Sequence, residues 1–452
     1  MLTSNIKKTQ KMDMLHGSLL DKILLFALPL AACSILQQLF NSVGTAVVGR
    51  FASSEALAAV GSNGSVISLM VTLFSGISLG SNVVIANYIG QGNHRKIPMV
   101  VHTAISLALI SGILLLFLGQ FIAHPILKLM GAPENIMELA TLYLKIYFLG
   151  MPFFMLYDFG ASILRSIGDT KRPMYALMAS GIVNVILNFV LVVGFHLDVA
   201  GAGIAAVAAN AVSAVLVLSF LLHETEPIRF SPKHLILHRA SVIRILRIGV
   251  PAGLQGMVFS LANVCIQSSI NGFGSDAIAG SAAALNYEYF SYFLVNAFAQ
   301  TIVTFTGQNY GAKQFDRCKK LFRLGMLTSI LFCGIVSLTF VLFRPFFLGL
   351  YSTDPAVLHY ANLRIIFVLT FECLTNSYEI SGAALRGFGR SMTPAVLTVF
   401  GSCVLRLIWV YTVCARFHDF KLLMIIYPIS WVITGILVLS AYFRTRKKLF
   451  AI

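Results

Sequence analysis

A nearly unbroken series of long apolar stretches limits what this chain can fold into. Of its 452 residues, 58% are hydrophobic and only 11% are charged, a balance far outside the range of soluble proteins. Each stretch has at least about 18 mainly apolar residues, enough to cross a hydrocarbon core roughly 30 Å thick as a helix. The pattern predicts an all-α integral membrane protein with twelve transmembrane helices, at residues 23–48, 57–88, 98–122, 138–163, 173–195, 201–222, 245–271, 277–306, 322–347, 358–383, 393–415 and 422–443.

The basic residues indicate how these helices are oriented. The net charge is +16, and 25 of the 33 lysines and arginines fall in alternate loops, beginning with Lys7, Lys8 and Lys11 before the first helix. The positive-inside rule places those loops and both termini in the cytoplasm. The positive charge is therefore a topology signal, and no nucleic-acid partner is expected.

The two halves of the chain repeat each other at a nearly constant offset. Pro29 matches Pro251, 222 residues later, and "LRSIGDTKRP" matches "LRGFGRSMTP", 221 residues later. Each half has six helices, so the halves share one orientation and are related by a pseudo-twofold axis along the membrane normal. The predicted organisation is a cytoplasmic segment (1–22), an N-lobe with helices 1–6 (23–222), a cytoplasmic linker (223–244), a C-lobe with helices 7–12 (245–443) and a cytoplasmic tail (444–452).

The repeated decapeptides are typical of tight hairpins between helices. In each, an arginine closes a helix at its negative end, a glycine can take the left-handed conformation after it, and a proline suits the first turn of the next helix. These residues are Arg165, Gly168 and Pro173 in the first hairpin and Arg386, Gly389 and Pro394 in the second. The structural interpretation needs no ligand.

Six motifs together resemble those of multidrug and toxic compound extrusion (MATE) transporters. They are "ALPLAACSILQQLFNSVGTAVVGR", "ALAAVGSN", "YIGQGN", "ILRSIGDTKRP", "GQNYGA" and "LRGFGRSMTP". The resemblance covers nearly the whole chain. It implies a V-shaped pair of lobes in a bacterial inner membrane that exports bulky, often cationic and aromatic compounds in exchange for protons or sodium ions, with no other cofactor.

The resemblance does not identify a coupling residue. One branch of the family has an aspartate in helix 1 where this chain, after "FNSV", has Gly44, and another has an acid in helix 7, where residues 249–271 contain no Asp or Glu. The coupling ion, proton or sodium, stays open.

Four acids fall within the predicted spans, where a charge at mid-membrane costs roughly 2.5–3.5 kcal/mol. Asp158 and Glu379 each lie seven residues before a hairpin arginine, so the repeat places them at equivalent positions. They either neutralise those arginines, form hydrogen bonds within a lobe, or contact an ion or substrate. The other two are Glu288 and Glu372, and the bases counted against the four acids are Lys145 and Arg406.

Glu288 is the centre of the predicted substrate or coupling-ion site. It lies in "LNYEYFSYF" beside Tyr287 and Tyr289, and an acid among aromatic rings suits a lipophilic cation or a transported proton. The alternative is a hydrogen bond to a neighbouring Asn or Ser. Glu372 and Arg406 lie at equal depth on consecutive helices and are predicted to form a structural ion pair.

Uncharged polar residues recur at one-turn spacing in helices 1 and 7, which are repeat equivalents. Gln37 and Asn41 lie in helix 1, and Asn263 and Gln267 lie in helix 7. These side chains either line a central cleft or form hydrogen bonds between helices.

A secondary transporter of small organic compounds is the leading prediction. The chain has no G-x-x-x-x-G-K-[ST] loop for ATP, and neither a catalytic nor a metal-binding set such as H-E-x-x-H is expected. A flippase for lipids or lipid-linked saccharides, with the same two-lobed design, remains an alternative. Four acids against two bases favour a cationic substrate over its anionic cargo. Membrane lipids surround the chain, and a monomer is expected.

Overall fold

The computed structural model describes residues 12–129 and 133–450, so Lys7, Lys8 and Lys11 lie outside the described residues. Twelve long helices follow one another through the described ranges, and each coincides with one predicted span. They are α1 (Leu20–Phe51), α2 (Ser54–Gly90), α3 (Ile97–Leu129), α4 (Glu134–Leu149 and Met151–Ser166), α5 (Lys171–Gly194), α6 (Asp198–Leu222), α7 (Arg239–Asn271), α8 (Ser275–Gly311), α9 (Phe315–Leu342), α10 (Pro355–Gly387), α11 (Met392–Phe417) and α12 (Phe420–Phe450).

Length and composition mark most of these helices as membrane spans. Ten of the helices in the described ranges are long and apolar enough to cross a membrane, and α4, whose two halves meet at a 48° bend, brings the number to eleven. The twelfth, α8, has 37 residues but is more polar, because it buries polar side chains such as Gln308 and Asn309 against other helices.

The ends of several spans differ from the predicted ones. The ninth predicted span runs to residue 347, whereas α9 ends at Leu342 and a separate short helix, Arg344–Gly349, begins with Pro345 in its first turn. Proline cannot donate the hydrogen bond that would continue α9. At the other lobe boundary, α7 begins at Arg239, inside the segment assigned to the linker.

Two of the C-lobe helices depart from regular α geometry within the membrane. In α10, residues Leu369–Leu374 form a 3-10 helix between two α-helical segments. In α11, π-helical stretches at Val399–Val404 and Val410–Cys414 flank a short α-helical segment that carries Arg406. Such irregular turns within helices occur often at functional sites.

Polar contacts between neighbouring helices hold each lobe together. In the N-lobe, the Asn63 amide on α2 donates to the Ala140 carbonyl on α4 at 3.0 Å. In the C-lobe, the hydroxyls of Ser402 on α11 and Thr434 on α12 lie 2.9 Å apart. Hydrogen bonds of this kind are worth on the order of 1 kcal/mol each between membrane helices, so close packing of small residues must supply the rest.

The two repeated hairpins have the same backbone structure. Gly168 and Gly389 have φ angles of 91° and 77°, in the left-handed region that the sequence predicts for them. Their N–H groups donate to the carbonyls of Arg165 and Arg386 at 3.0 and 2.8 Å, respectively. In each hairpin the next N–H donates to the carbonyl just before the arginine, at 3.1 and 2.9 Å. Both hairpins are therefore Schellman motifs, which satisfy the last carbonyls of α4 and α10.

The lobes meet at the end of the molecule that carries these hairpins and separate at the other. A Cβ atom on Gly80 of α2 would lie 2.4 Å from the Ile245 carbonyl oxygen of α7, and one on Gly90 would lie 1.9 Å from the Gln308 carbonyl oxygen of α8. Toward the opposite end of α2, Gly61 has no atom of another helix within 4 Å of that position. The two lobes thus enclose a V-shaped cleft.

The segment before α1 bridges the lobes at their closed end. The Arg317 guanidinium of α9 donates to the carbonyls of Gly17 at 2.9 Å and His16 at 3.1 Å, and the Asn309 amide of α8 donates to the Met14 carbonyl at 3.1 Å. On the N-lobe side, a Cβ on Gly168 would lie 2.7 Å from the Met12 side chain. Both lobes therefore contact this segment directly.

Candidate functional site

A cavity of about 590 Å³ lies between the lobes. Helices α2 and α4 line it from the N-lobe, and α7, α8, α10, α11 and α12 line it from the C-lobe. Its floor lies near Asn82 and Thr304, whose side chains join the lobes by a 3.0 Å hydrogen bond. The volume is within the range of about 300–1,000 Å³ that pockets for drug-sized ligands occupy.

Six of the nine predicted substrate or coupling-ion residues line this cavity, and three do not. The six are Asp158, Glu288, Glu379, Tyr289, Asn263 and Gln267. Tyr287 is buried, and its hydroxyl donates to the Phe347 carbonyl at 2.6 Å, away from the cavity. Gln37 and Asn41 are exposed on α1 and do not line the cavity. The cleft is therefore lined by α7 but not by its repeat equivalent α1.

Glu288 on α8 forms an ion pair that the sequence reasoning missed. Arg364 on α10 donates to its two carboxylate oxygens, from Nε at 2.6 Å and from Nη2 at 3.0 Å. The bidentate geometry is the strong form of an arginine–carboxylate contact. Both residues are buried, with 8% and 3% of their surfaces exposed, so Glu288 is a fixed charge at the cavity wall. Neither a free carboxylate nor a bond to Asn or Ser is observed at this position.

The predicted ion pair between Glu372 and Arg406 is wrong. Within the described residues neither forms an ion pair, and the Glu372 carboxylate has no hydrogen-bond partner. Arg406 instead donates from Nε to the Ser430 hydroxyl at 2.9 Å and stacks over the Tyr427 ring at 4.5 Å. Equal depth on consecutive helices was an insufficient criterion, because the 3-10 turn that carries Glu372 changes the direction of its side chain.

The acids and arginines of the two repeats do not pair with each other either. The Ser78 hydroxyl donates to the Asp158 carboxylate at 2.9 Å, and the Glu379 carboxylate has no hydrogen-bond partner among the described residues. Arg165 donates to the Gln300 side chain across the lobes at 3.3 Å, and Arg386 donates to a glutamine of its own lobe, Gln255, at 2.8 Å. The hairpin arginines thus extend from helix ends into the cavity.

The cavity wall balances its charges. Of the described residues, the acids that line it are Asp158, Glu288, Glu372 and Glu379, and the bases are Arg165, Arg364, Arg386 and Arg406. The count of two bases was wrong, because it omitted Arg364 within the tenth predicted span and the two arginines at helix ends, and because Lys145 does not line the cavity. A signal for Arg364 was present in the sequence, since it lies inside residues 358–383.

Aromatic rings line the C-lobe side of the cavity. Tyr289 is partly exposed there and stacks on Phe293 with ring centroids 5.9 Å apart. Tyr427 and Trp431 of α12 pack with centroids 5.8 Å apart. The sequence reasoning identified Tyr289 but not the α12 pair, because periodicity alone does not tell which face of a membrane helix meets a cleft. Ring faces beside charges suit flat organic ligands.

The sequence profile of the family described as MatE matches the chain twice, over residues 29–190 and 251–412. The chain belongs to the MatE family. The two matches begin 222 residues apart, at Pro29 and Pro251, so the family itself has the internal repeat predicted from the sequence. Fold and family therefore agree on an integral membrane transporter with two six-helix lobes.

Named proteins similar to this MatE chain include transporters from several bacteria. "Probable multidrug resistance protein YoeA" of Bacillus subtilis (strain 168) is 28% identical over 94% of this chain and 93% of its own length. "FAD transporter" of Shewanella oneidensis is 25% identical over 87% of each protein. The names describe those proteins.

Solved structures of other family members share the fold. A structure described as "Outward-facing conformation of a multidrug resistance MATE family transporter of the MOP superfamily" has a TM-score of 0.91 at 20% identity, over 99% of this chain and 100% of that one. A transporter from Pyrococcus furiosus, for which "reverse polarity of binding pocket suggests different function", has a TM-score of 0.90 at 20% identity over 98% of this chain and 99% of that one. At this identity the likeness shows the fold alone.

Proposed function

We propose that this protein is a secondary active efflux transporter that moves small organic compounds, including several unrelated drugs, across a bacterial inner membrane by alternating access. The observation that carries the proposal is the cavity between the lobes, of about 590 Å³, lined from both lobes and closed at one end. A site between two rocking bodies can be exposed to each side in turn. The names of the relatives, multidrug resistance proteins among them, support export of drugs.

The end of the cleft that is closed carries the basic loops. Under the positive-inside rule that end is cytoplasmic, so the cavity opens to the outside and both termini lie in the cytoplasm. The lobes that move are residues 23–222 and 245–443. Their contact surface is small around Gly80 and Gly90, where main chains touch, and this surface must separate for the cavity to open inward.

Glu379 is the best candidate for the residue that binds the coupling ion. It lines the cavity, it is partly buried, and no arginine of the described residues lies within ion-pair distance of it. Asp158, hydrogen-bonded to Ser78, is its repeat equivalent and the second candidate. Glu288 is no longer a candidate, because Arg364 holds both of its oxygens. An intramembrane acid of this kind commonly takes part in proton or ion transport.

The alternative of a flippase for lipids or lipid-linked saccharides is not favoured. The names of the relatives describe drug and cofactor transporters. The charge argument used against it, four acids to two bases, does not apply, because the cavity has equal numbers of each. The proposal therefore rests on the relatives and on the closed two-lobed cavity.

The test is dye transport by the purified full chain in proteoliposomes under an imposed proton gradient or sodium gradient. Two fluorescent probes are used, ethidium and tetramethylrhodamine. We expect one gradient to drive uphill movement of at least one dye, and Glu379→Gln to uncouple that movement from the gradient. The matched control is Glu134→Gln, an exposed acid in the first turn of α4 outside the cavity, which should transport like wild type. No movement of either dye under either gradient, by correctly folded protein, would contradict the proposal.

A further inference from the structure

Helix α10 carries a row of charged side chains along the length of the cavity. In chain order these are Arg364, Glu372, Glu379 and Arg386, and all four line the cavity. They lie seven or eight residues apart, which corresponds to about 10–12 Å along a helix axis. One wall therefore has a positive group at each end and two negative groups between them.

Only the outermost of these four groups is neutralised within the protein. Arg364 is bound to Glu288. Glu372, Glu379 and Arg386 have no ion-pair partner among the described residues, although a charge in the membrane ordinarily has one. This leaves the inner part of the row with two free carboxylates and one free guanidinium facing the same cavity.

Arg386 presents an unused donor toward the floor of the cavity. It is 92% buried, since only 8% of its surface is exposed, and its Nη2 donates to the Gln255 side chain. Its Nε is buried and has no hydrogen-bond partner in the described part of the chain. A buried guanidinium with an unused donor and no carboxylate nearby suits an anionic group of a ligand.

We propose that the cavity selects zwitterionic aromatic compounds, whose anionic group binds Arg386 while their cationic centre binds Glu379. The inference rests on the proposed transport function and specifies its substrate class. Tyr289, Tyr427 and Trp431 supply the ring faces. A purely cationic compound satisfies Glu379 and leaves Arg386 unpaired, whereas a zwitterion satisfies both. Because the two charges come from one ligand, the neutral balance of the cavity is kept when the ligand binds.

The test compares two dyes that differ by one methyl group. Tetramethylrhodamine with a free carboxylate is a zwitterion, and its methyl ester is a cation with the same ring system. Fluorescence anisotropy with the purified full chain should give at least about tenfold tighter binding of the free acid, or about 1.4 kcal/mol. In Arg386→Gln that preference should fall below about twofold, while the affinity for the ester stays within about twofold of wild type.

Two further variants separate a binding role of Arg386 from a structural one. Gln255→Glu keeps the guanidinium but places a carboxylate on it, so the preference for the free acid should also disappear in this variant, whether or not Arg386→Gln folds. Arg416→Gln removes an exposed arginine outside the cavity and should keep the full preference. Each variant is first checked for a monodisperse peak in size-exclusion chromatography.

The outcomes distinguish this inference from the proposed function. Equal or tighter binding of the ester by wild type overturns the inference, and so does a preference that survives Gln255→Glu. If the ester is also moved by a gradient, the proposed function stands while the inference fails. Preferential binding of the free acid without gradient-driven movement of any dye supports the site and contradicts the transport proposal.

Discussion

Neutralising Glu288 should destabilise the protein more than neutralising any other acid of the cavity. Its carboxylate accepts two hydrogen bonds from Arg364, at 2.6 and 3.0 Å, and both side chains are buried. In Glu288→Gln the guanidinium loses its counter-charge and remains in place. Breaking a buried ion pair in this way costs about 3–5 kcal/mol. Because the pair borders a cavity that water can enter, we expect the lower limit, about 3 kcal/mol.

The pair can be isolated by a double-mutant cycle. Arg364→Met should cost a similar amount, because it leaves the Glu288 carboxylate unpaired. The double variant removes both charges and should recover at least about 2 kcal/mol relative to the sum of the single changes. Glu372→Gln is the matched control on the same helix. Its carboxylate has no hydrogen bond to lose among the described residues, so we expect a change of less than about 1 kcal/mol.

The protein carries its own reporters for this measurement. It has seven free cysteines, of which five are buried and become reactive toward a fluorescent thiol reagent on unfolding. Titration with SDS in mixed micelles, followed with that reagent, gives the free energy of unfolding for each variant. If Glu288→Gln is as stable as wild type, or if the two single changes simply add, the ion pair does not stabilise the protein as argued.

The remaining predictions concern the closed end of the molecule. Gly389→Ala should cost about 1–2 kcal/mol in the same titration, because its φ is 77° and the space around it is open. Gly168→Ala should cost more, since a Cβ there also meets the Met12 side chain at 2.7 Å; equal costs would contradict this packing. Gly90→Ala places a Cβ 1.9 Å from the Gln308 carbonyl oxygen, so the lobes should separate at this end. Electron–electron distance measurements between spin labels on the two hairpins should show a longer distance, and an unchanged distance would refute the close contact.

The number of helices and the repeat could be predicted from the sequence because the bilayer leaves few alternatives. A backbone in hydrocarbon must satisfy its own hydrogen bonds, so each long apolar run becomes a helix. Gly168 and Gly389 could be predicted as well, because a Schellman turn needs a left-handed residue at one fixed position. These inferences depend only on neighbours in the chain or on the membrane itself.

The partners of the charged residues could not be predicted in the same way. Glu288 and Arg364 are 76 residues apart, and their contact depends on how α8 packs against α10. Depth in the membrane is one coordinate, whereas a contact also requires the rotation of each helix about its axis. The pairing of Glu372 with Arg406 used depth alone, and irregular turns in α10 and α11 had already changed the rotation.

The repeat predicted too much symmetry for the same reason. Equivalent positions in α1 and α7 have equivalent places within their lobes, yet only α7 lines the cavity, so Gln37 and Asn41 lie outside it. A pseudo-twofold axis relates the folds of the lobes and does not require the surfaces that face the cleft to be used alike. Substrate-binding groups can therefore concentrate in the C-lobe, as the aromatic rings and most of the charges do here.

The hairpin arginines show that a complete structural account of a motif does not exclude a second role. The backbone of each arginine takes part in a Schellman turn, while the long side chain reaches back along the helix into the cavity. Their partners differ in a way that matters for transport. Arg165 binds Gln300 of the opposite lobe, a contact that must break when the lobes separate at this end, whereas Arg386 binds Gln255 of its own lobe and can keep that partner throughout. The same residue type at equivalent positions is thus suited to sensing the conformation in one lobe and to holding a ligand group in the other.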